Sequence, residues 1–218
     1  MKNVTSKLYL IKDSIFQINL IIFIKNPVLG KVKTRLAATV GDEKALEVYE
    51  KLLKHTRSTT QPLPIDKHLF YSDFVDEEDK WAPDVYKKHL QTQGADLGKK
   101  MYDAFMFLHD NEYEKVVIVG SDCLELDGNV LHEAYVNLAE NDAVVGPATD
   151  GGYYAIGFNF KKIDNDEEVL SKVFLGKDWG HENVGQEAIE AFEKLGLKTH
   201  ILPELNDVDF EEDAKELL

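Results

Sequence analysis

Residues 20–24, Leu-Ile-Ile-Phe-Ile, are an unbroken apolar run. A run of that length without alternation is the mark of a strand buried on both faces, as in a parallel sheet, and it predicts a first strand over 20–25. Val116–Val119 repeats the signal, and weaker strand patterns fall at 67–72, 88–93, 143–145, 153–158 and 198–202, with Gly146-Pro147 expected to turn the chain. Between these segments the period changes to that of a helix. Ala45, Leu46, Val48, Tyr49, Leu52 and Leu53 share one face of a helix over 42–60, and Leu97, Met101, Phe105 and Leu108 share one over 96–109. Helices are also expected over 128–140 and over 183–196, the latter closed by Gly196. A short helix over 76–82, stopped by Pro83, and a terminal helix over 210–218 complete the pattern. Alternation of strands and helices predicts the α/β class: a single-domain α/β/α sandwich with a mostly parallel, twisted sheet. Residues 1–18 stand apart as an N-terminal extension able to pair with a partner's sheet, and residues 19–218 form the domain.

Composition narrows the function. The chain has 218 residues, a formal net charge of -15 and a single cysteine, Cys123. So acidic a protein cannot build a broad basic face, which argues against nucleic-acid binding. One cysteine excludes an intrachain disulfide framework and a multi-cysteine zinc site. Lys2, Lys7, Lys12 and Asp13 interrupt any signal-peptide core, and no apolar run is long enough to span a bilayer, so a cytoplasmic location is expected.

Against this acidic background, four cations, Lys25, Lys31, Lys33 and Arg35, crowd the turn after the first strand together with Pro27 and Gly30. Loops at strand C-termini are where ligands bind in open α/β sheets, and glycine lets backbone N–H groups approach an anion. The cluster reads as a phosphate cradle, or more plainly as a solvated basic loop. The Walker A spacing is absent, as are Gly-x-Gly-x-x-Gly and His-x-x-x-His. Asp122, directly beyond the Val116–Val119 strand, suits a Mg²⁺ ligand, since that cation takes one or two carboxylates plus phosphate oxygens; a helix N-cap is its other reading. In Asp207-Val208-Asp209 the carboxylates alternate, so only one should face the crevice, and Asp209 with Glu212 also reads as a capping box. Asp150-Gly151-Gly152-Tyr153 offers close approach and a carboxylate to an acceptor hydroxyl, or is a tight hairpin turn. Gly94 could meet a base or phosphate, and Asp96 reads as a helix cap. Trp179, His181 and Glu182 lie in a polar loop able to close over substrate.

Jointly and in this order, Lys25–Leu36, Asp96–Met101, Gly120–Cys123, Gly146–Tyr154 and Asp207–Asp213 resemble the nucleotide-diphospho-sugar transferase superfamily. Within it the chain looks like the bacterial glycosyltransferase-like proteins related to 2-phospho-lactate guanylyltransferase and the molybdenum-cofactor nucleotidyltransferases. The resemblance implies a GT-A fold and a Mg²⁺- or Mn²⁺-dependent transferase. Lys25, Pro27, Gly30, Lys31, Lys33, Arg35, Gly94 and Asp96 would bind nucleotide and phosphate. Asp122 and Asp209 would hold the metal, Lys33, Arg35 and Asp150 would be catalytic, and Asp150, Gly151, Gly152 and Tyr153 would face the acceptor. Leu124, where proline is usual, and Phe210-Glu211, in place of Thr-Pro, depart from the pattern. Nucleotidyl transfer from a nucleoside triphosphate is the expected reaction. Glycosyl transfer from a nucleotide sugar is its alternative, and a nucleotide-binding module without turnover is a third.

Overall fold

The computed structural model describes residues 18–218. Of the expected N-terminal extension only Ile18 lies within them, and it opens the first strand. The strands are β1 (Ile18–Ile24), β2 (Asp66–Tyr71), β3 (Tyr86–Leu90), β4 (Lys115–Val119), β5 (Ala143–Pro147), β6 (Tyr153–Asn159) and β7 (Thr199–Ile201). They form one sheet in the order β3-β2-β1-β4-β6-β5-β7. β6 runs antiparallel to β4 and β5, and every other neighbouring pair is parallel. The helices are α1 (Thr34–Val40), α2 (Asp42–Thr60), α3 (Leu97–Asp110), α4 (Gly128–Glu140), α5 (Asp166–Phe174) and α6 (Val184–Lys194).

Alternate residues of the apolar strands feed two cores, which is why their sequences run without polar interruption. Leu20, Ile22, Ile24, Val117 and Val119 pack with Leu36, Val48, Leu52, Leu131 and Leu138 of α1, α2 and α4. Ile21, Val116 and Ile118 face the other way, onto Met101, Phe105, Leu170 and Phe192 of α3, α5 and α6. From β1 the chain builds outward through β2 and β3, then returns to add β4 on the opposite side of β1. The loops leaving β1 and β4 therefore diverge, opening the crevice in which such sheets bind ligands.

Several expected elements differ. Residues 76–82 form an irregular, bending segment rather than a helix. Carboxylates of Asp76 and Asp79 accept from the N–H groups of Glu78 and Trp81 at 3.0 and 2.9 Å, and the Lys88 ammonium ties Asp79 down at 2.8 Å. Side-chain bonds of this kind compete directly with helical ones. Residues 210–218 are successive turns, because the Asp213 carboxylate folds back onto the N–H groups of Asp209 and Phe210 at 3.1 and 2.9 Å. The capping box read at Asp209 thus has no helix to cap. β5 continues through Gly146 and Pro147 with a register shift against β6 instead of turning there. β3 stops at Leu90, and the Gln91 side chain beyond it donates to the carbonyls of Ile24 and Phe70. α5 was not anticipated.

Candidate active site

The 25–33 loop is anchored from below. The Tyr49 hydroxyl of α2 accepts from the Lys25 N–H at 2.8 Å, donates to the Lys25 carbonyl at 3.0 Å and lies 3.2 Å from Ser121 Oγ, joining the ends of β1 and β4. Burial, and then the charge of Asp122, hold its phenol well above the ordinary range. Buried Asn26 accepts from the N–H groups of Asp73 and Phe74 at 3.0 and 3.3 Å, fixing the loop after β2.

On this base the chain enters α1 through Lys33, whose backbone is left-handed (φ 45°). The Lys33 side chain is 4% exposed, and its ammonium lies 3.1 Å from Asp122 Oδ2 and 3.3 Å from Asp209 Oδ1. Arg35 Nη1 reaches Asp209 Oδ2 at 2.8 Å. Four residues singled out in the sequence, Lys33, Arg35, Asp122 and Asp209, thus meet in one node at the sheet's reversal point. Asp122 and Asp209 are 87 positions apart, and the backbone joins them: Val208 N–H donates to the Asp122 carbonyl at 2.9 Å, and Cys123 pairs with Asp207 as a short antiparallel bridge. Asp122 is free of the capping role, because the Asp127 carboxylate caps α4 through the N–H groups of Asn129 and Val130 at 2.8 and 2.9 Å. Asp96 does cap α3, accepting from the Lys99 N–H at 2.8 Å.

Asp207 lies on the same side as Asp209, because residues two apart on an extended segment share a face and Val208 between them is buried; the expectation that only one would face the crevice is corrected. The Asp207 carboxyl is pushed up to about 7, first by burial and then by the charge of Asp122, with Asp150 and Asp209 adding to the effect and Lys33 opposing it. Cys123 beside it is pushed up to about 12 by burial and by Asp207, which leaves it an inert thiol at neutral pH.

Next to the node lies a cavity of about 490 Å³ whose lining includes Arg35, Asp150, Tyr153, Trp179, Glu182 and Asp207. The loop noted at 179–182 is one wall of this cavity, and Asp150 with Gly152 contributes another. Gly151 plays a different part from the one read in the sequence. It has φ 89°, and a Cβ on it would stand 1.8 Å from the carbonyl oxygen of Glu182. The room there belongs to the protein's own backbone, and a hydrogen bond from Gly185 N–H to the Gly151 carbonyl at 2.8 Å closes the contact. Lys25, Gly30, Lys31 and Gly94 are exposed on neighbouring loops, whereas Pro27 lines a separate cavity with Ile24, Tyr71 and Trp81.

Asp122 and Asp209 already share one cation, the Lys33 ammonium. Among the described residues, no group of three or more His, Cys, Asp or Glu is arranged to hold a metal. The protein thus offers two carboxylates, a donor set that fits Mg²⁺ when phosphate oxygens complete the shell.

A protein from Desulfovibrio desulfuricans G20, described as a "putative nucleotide-diphospho-sugar transferase", is 32% identical; the match covers 89% of this chain and 83% of that one at a TM-score of 0.78. The 4-diphosphocytidyl-2C-methyl-D-erythritol synthase of Anaerococcus prevotii DSM 20548 shares the fold at 12% identity, with a TM-score of 0.55 over 93% of this chain and 97% of that one. A cytidylyltransferase from Leptospira borgpetersenii serovar Hardjo-bovis does so at 12% identity and 0.52, over 93% and 85%. No curated protein matches. The family described as an uncharacterized protein conserved in bacteria (DUF2064) matches residues 55–181. Among the described residues no helix is long and apolar enough to cross a membrane. With more than half its length matched, the chain belongs to the DUF2064 family, built on the nucleotide-diphospho-sugar transferase fold.

Proposed function

We propose that this protein is a metal-dependent transferase that moves a nucleotidyl group from a nucleoside triphosphate to a small hydroxyl-bearing acceptor. The observation carrying this reading is the Lys33–Asp122–Asp209–Arg35 node at the reversal point of the sheet, opening onto a cavity with Asp150 on its wall.

The work divides among the residues as follows. Lys31 and Lys25 on the exposed loop draw in the polyphosphate. Lys33 and Arg35 exchange their carboxylate partners for phosphate oxygens and hold the leaving pyrophosphate, a fixed-charge arrangement that favours phosphoryl chemistry. Asp122 and Asp209, released by that exchange, would hold Mg²⁺ or Mn²⁺, which supplies charge neutralisation to the phosphates. Asp150 takes the proton of the acceptor hydroxyl as its oxygen bonds to the α-phosphorus and the bond to pyrophosphate breaks.

Glycosyl transfer is the second reading. Asp150 on the cavity wall would serve it equally as base, and the Desulfovibrio relative is described as a nucleotide-diphospho-sugar transferase. Product analysis separates the two. Pyrophosphate released from a triphosphate supports the first reading, and nucleoside diphosphate released from a nucleotide sugar supports the second. In either case Asp122→Ala abolishes turnover while the circular-dichroism spectrum is kept. Full activity in that variant would remove Asp122 from the mechanism.

A further inference from the structure

We infer that the cavity beside the node takes a hydroxyl-rich acceptor of sugar size that carries no phosphate, with Trp179 as the surface on which it stacks. The inference rests on the transferase reading and names the substrate class for its acceptor side.

The charges lining the cavity carry the first half of the argument. Asp150, Glu182 and Asp207 face it with Arg35 and His181 as the basic groups. Neither basic group is free for the acceptor. The Arg35 guanidinium is bound to Asp209 at 2.8 Å, and in the proposed reaction it passes to the phosphates of the nucleotide. His181 Nδ1 accepts from the Asn183 N–H at 3.2 Å, and its Nε2 lies 3.8 Å from Glu187 Oε1. A phosphate placed here meets three carboxylates and no uncommitted cation, a repulsive arrangement at such short range. Hydroxyl groups meet the opposite situation, because the Asp150 and Glu182 carboxylates accept from O–H donors and the Asp207 carboxyl, pushed up to about 7, can accept or donate.

The apolar part of the lining carries the second half. Leu97 and Phe210 are 48% and 49% exposed, and both border the cavity with Trp179, so three apolar side chains lie together there. A sugar ring presents C–H groups on its faces and hydroxyls around its edge, so it can lie on an indole while its rim meets carboxylates. Trp179 is held in place for this. A Cβ on Gly98 would stand 2.5 Å from the indole Nε1, so the ring is seated directly on the first turn of α3. The backbone contact between Gly151 and Glu182 fixes the far side of the same loop. A surface ordered before the ligand arrives loses less on binding.

The test uses the full-length protein without nucleotide or metal, and reads ligand saturation-transfer NMR together with tryptophan fluorescence. Trp81 is buried against Tyr86, away from this cavity, so a ligand-dependent fluorescence change reports on Trp179. The probes are the methyl glycosides of glucose, galactose, mannose and N-acetylglucosamine, with glucose 1-phosphate and inorganic phosphate as anionic comparisons. At least one glycoside should bind saturably at or below roughly 10 mM, the weak end of specific recognition. Trp179→Ala and Glu182→Gln should each weaken it about tenfold, a loss typical of one stacking or charge-assisted contact, and Trp179→Phe should retain it. Binding of glucose 1-phosphate that is tighter than that of the glycosides and lost in Trp179→Ala, undiminished glycoside binding to Trp179→Ala, or no saturable glycoside binding would each overturn the inference. Triphosphate binding with Mg²⁺, measured on the same samples, keeps the two readings apart: if it persists while the glycosides fail, only the acceptor class falls.

Discussion

Replacing Asp207 with asparagine should stabilise the protein in a way that depends on pH. A carboxyl that titrates near 7 instead of 3.8 has its charged form disfavoured in the folded state, by about 4 kcal/mol at 1.36 kcal/mol per pH unit. Below pH 3.8 both folded and unfolded chains hold the proton and the cost is absent. Between 3.8 and 7 the unfolded chain releases its proton while the folded one keeps it, so stability falls as pH rises. Above 7 the cost is constant. Asp207 is partly open to the cavity, so solvent reduces that ceiling, and we expect a net gain of about 1–2 kcal/mol for Asp207→Asn at pH 8. For a chain of this length that corresponds to a Tm increase of roughly 2–8 °C. The assay is thermal unfolding with EDTA present, since a bound cation reverses the local charge balance. Wild type and variant should differ less at pH 5 than at pH 8. A lower Tm for Asp207→Asn at pH 8, or the same difference at both pH values, would refute the assignment of a charge-strained carboxyl.

Three further outcomes follow from named contacts. Lys33→Met removes the ammonium that occupies Asp122 and Asp209; Mn²⁺ binding without nucleotide, read by electron paramagnetic resonance, should strengthen at least about tenfold, since one close charge is worth from about 1 kcal/mol in bulk water to about 4 kcal/mol at a protein surface, and unchanged affinity would contradict Asp122 and Asp209 as the metal ligands. Gly151→Ala combines a left-handed backbone with a Cβ 1.8 Å from the Glu182 carbonyl, so denaturant unfolding should show a loss of about 2 kcal/mol or more; a neutral result would mean the two loops are not packed as described. Asp127→Ala deletes the cap of α4 and should cost about 1 kcal/mol in the same assay while leaving transfer activity intact.

The sequence carried the layout of the fold wherever burial was two-sided. β1 and β4 are apolar throughout because each feeds both cores, and α2 and α4 show their faces plainly. α5 carried a legible signal as well: Val169, Leu170, Val173 and Phe174 are buried at helical spacing behind an acidic first turn. What local pattern could not reveal was competition. Asp76, Asp79 and Asp213 spend their carboxylates on nearby backbone N–H groups, and helices that propensity allows do not form. The site followed the same rule. Asp122 and Asp209 were visible beside a basic loop, but their meeting through Lys33 depends on the 207–209 segment lying along Cys123. Residues two apart on an extended segment share a face, so Asp207 and Asp209 lie on one side with buried Val208 on the other, and the expectation that only one would face the crevice misapplied that period. At Gly151 the small residue was legible and its partner was not, since Glu182 is distant in sequence.

The most direct measurement is thermal stabilisation of the wild-type protein by nucleotides with and without Mg²⁺ or Mn²⁺. Ligands that bind only the native state raise Tm by linkage. One nucleoside triphosphate should raise Tm in a way that needs the divalent cation and is lost in Asp122→Ala. No shift from any triphosphate or nucleotide sugar, with either metal present, would contradict the assignment of the Lys33–Asp122–Asp209–Arg35 node as a nucleotide site.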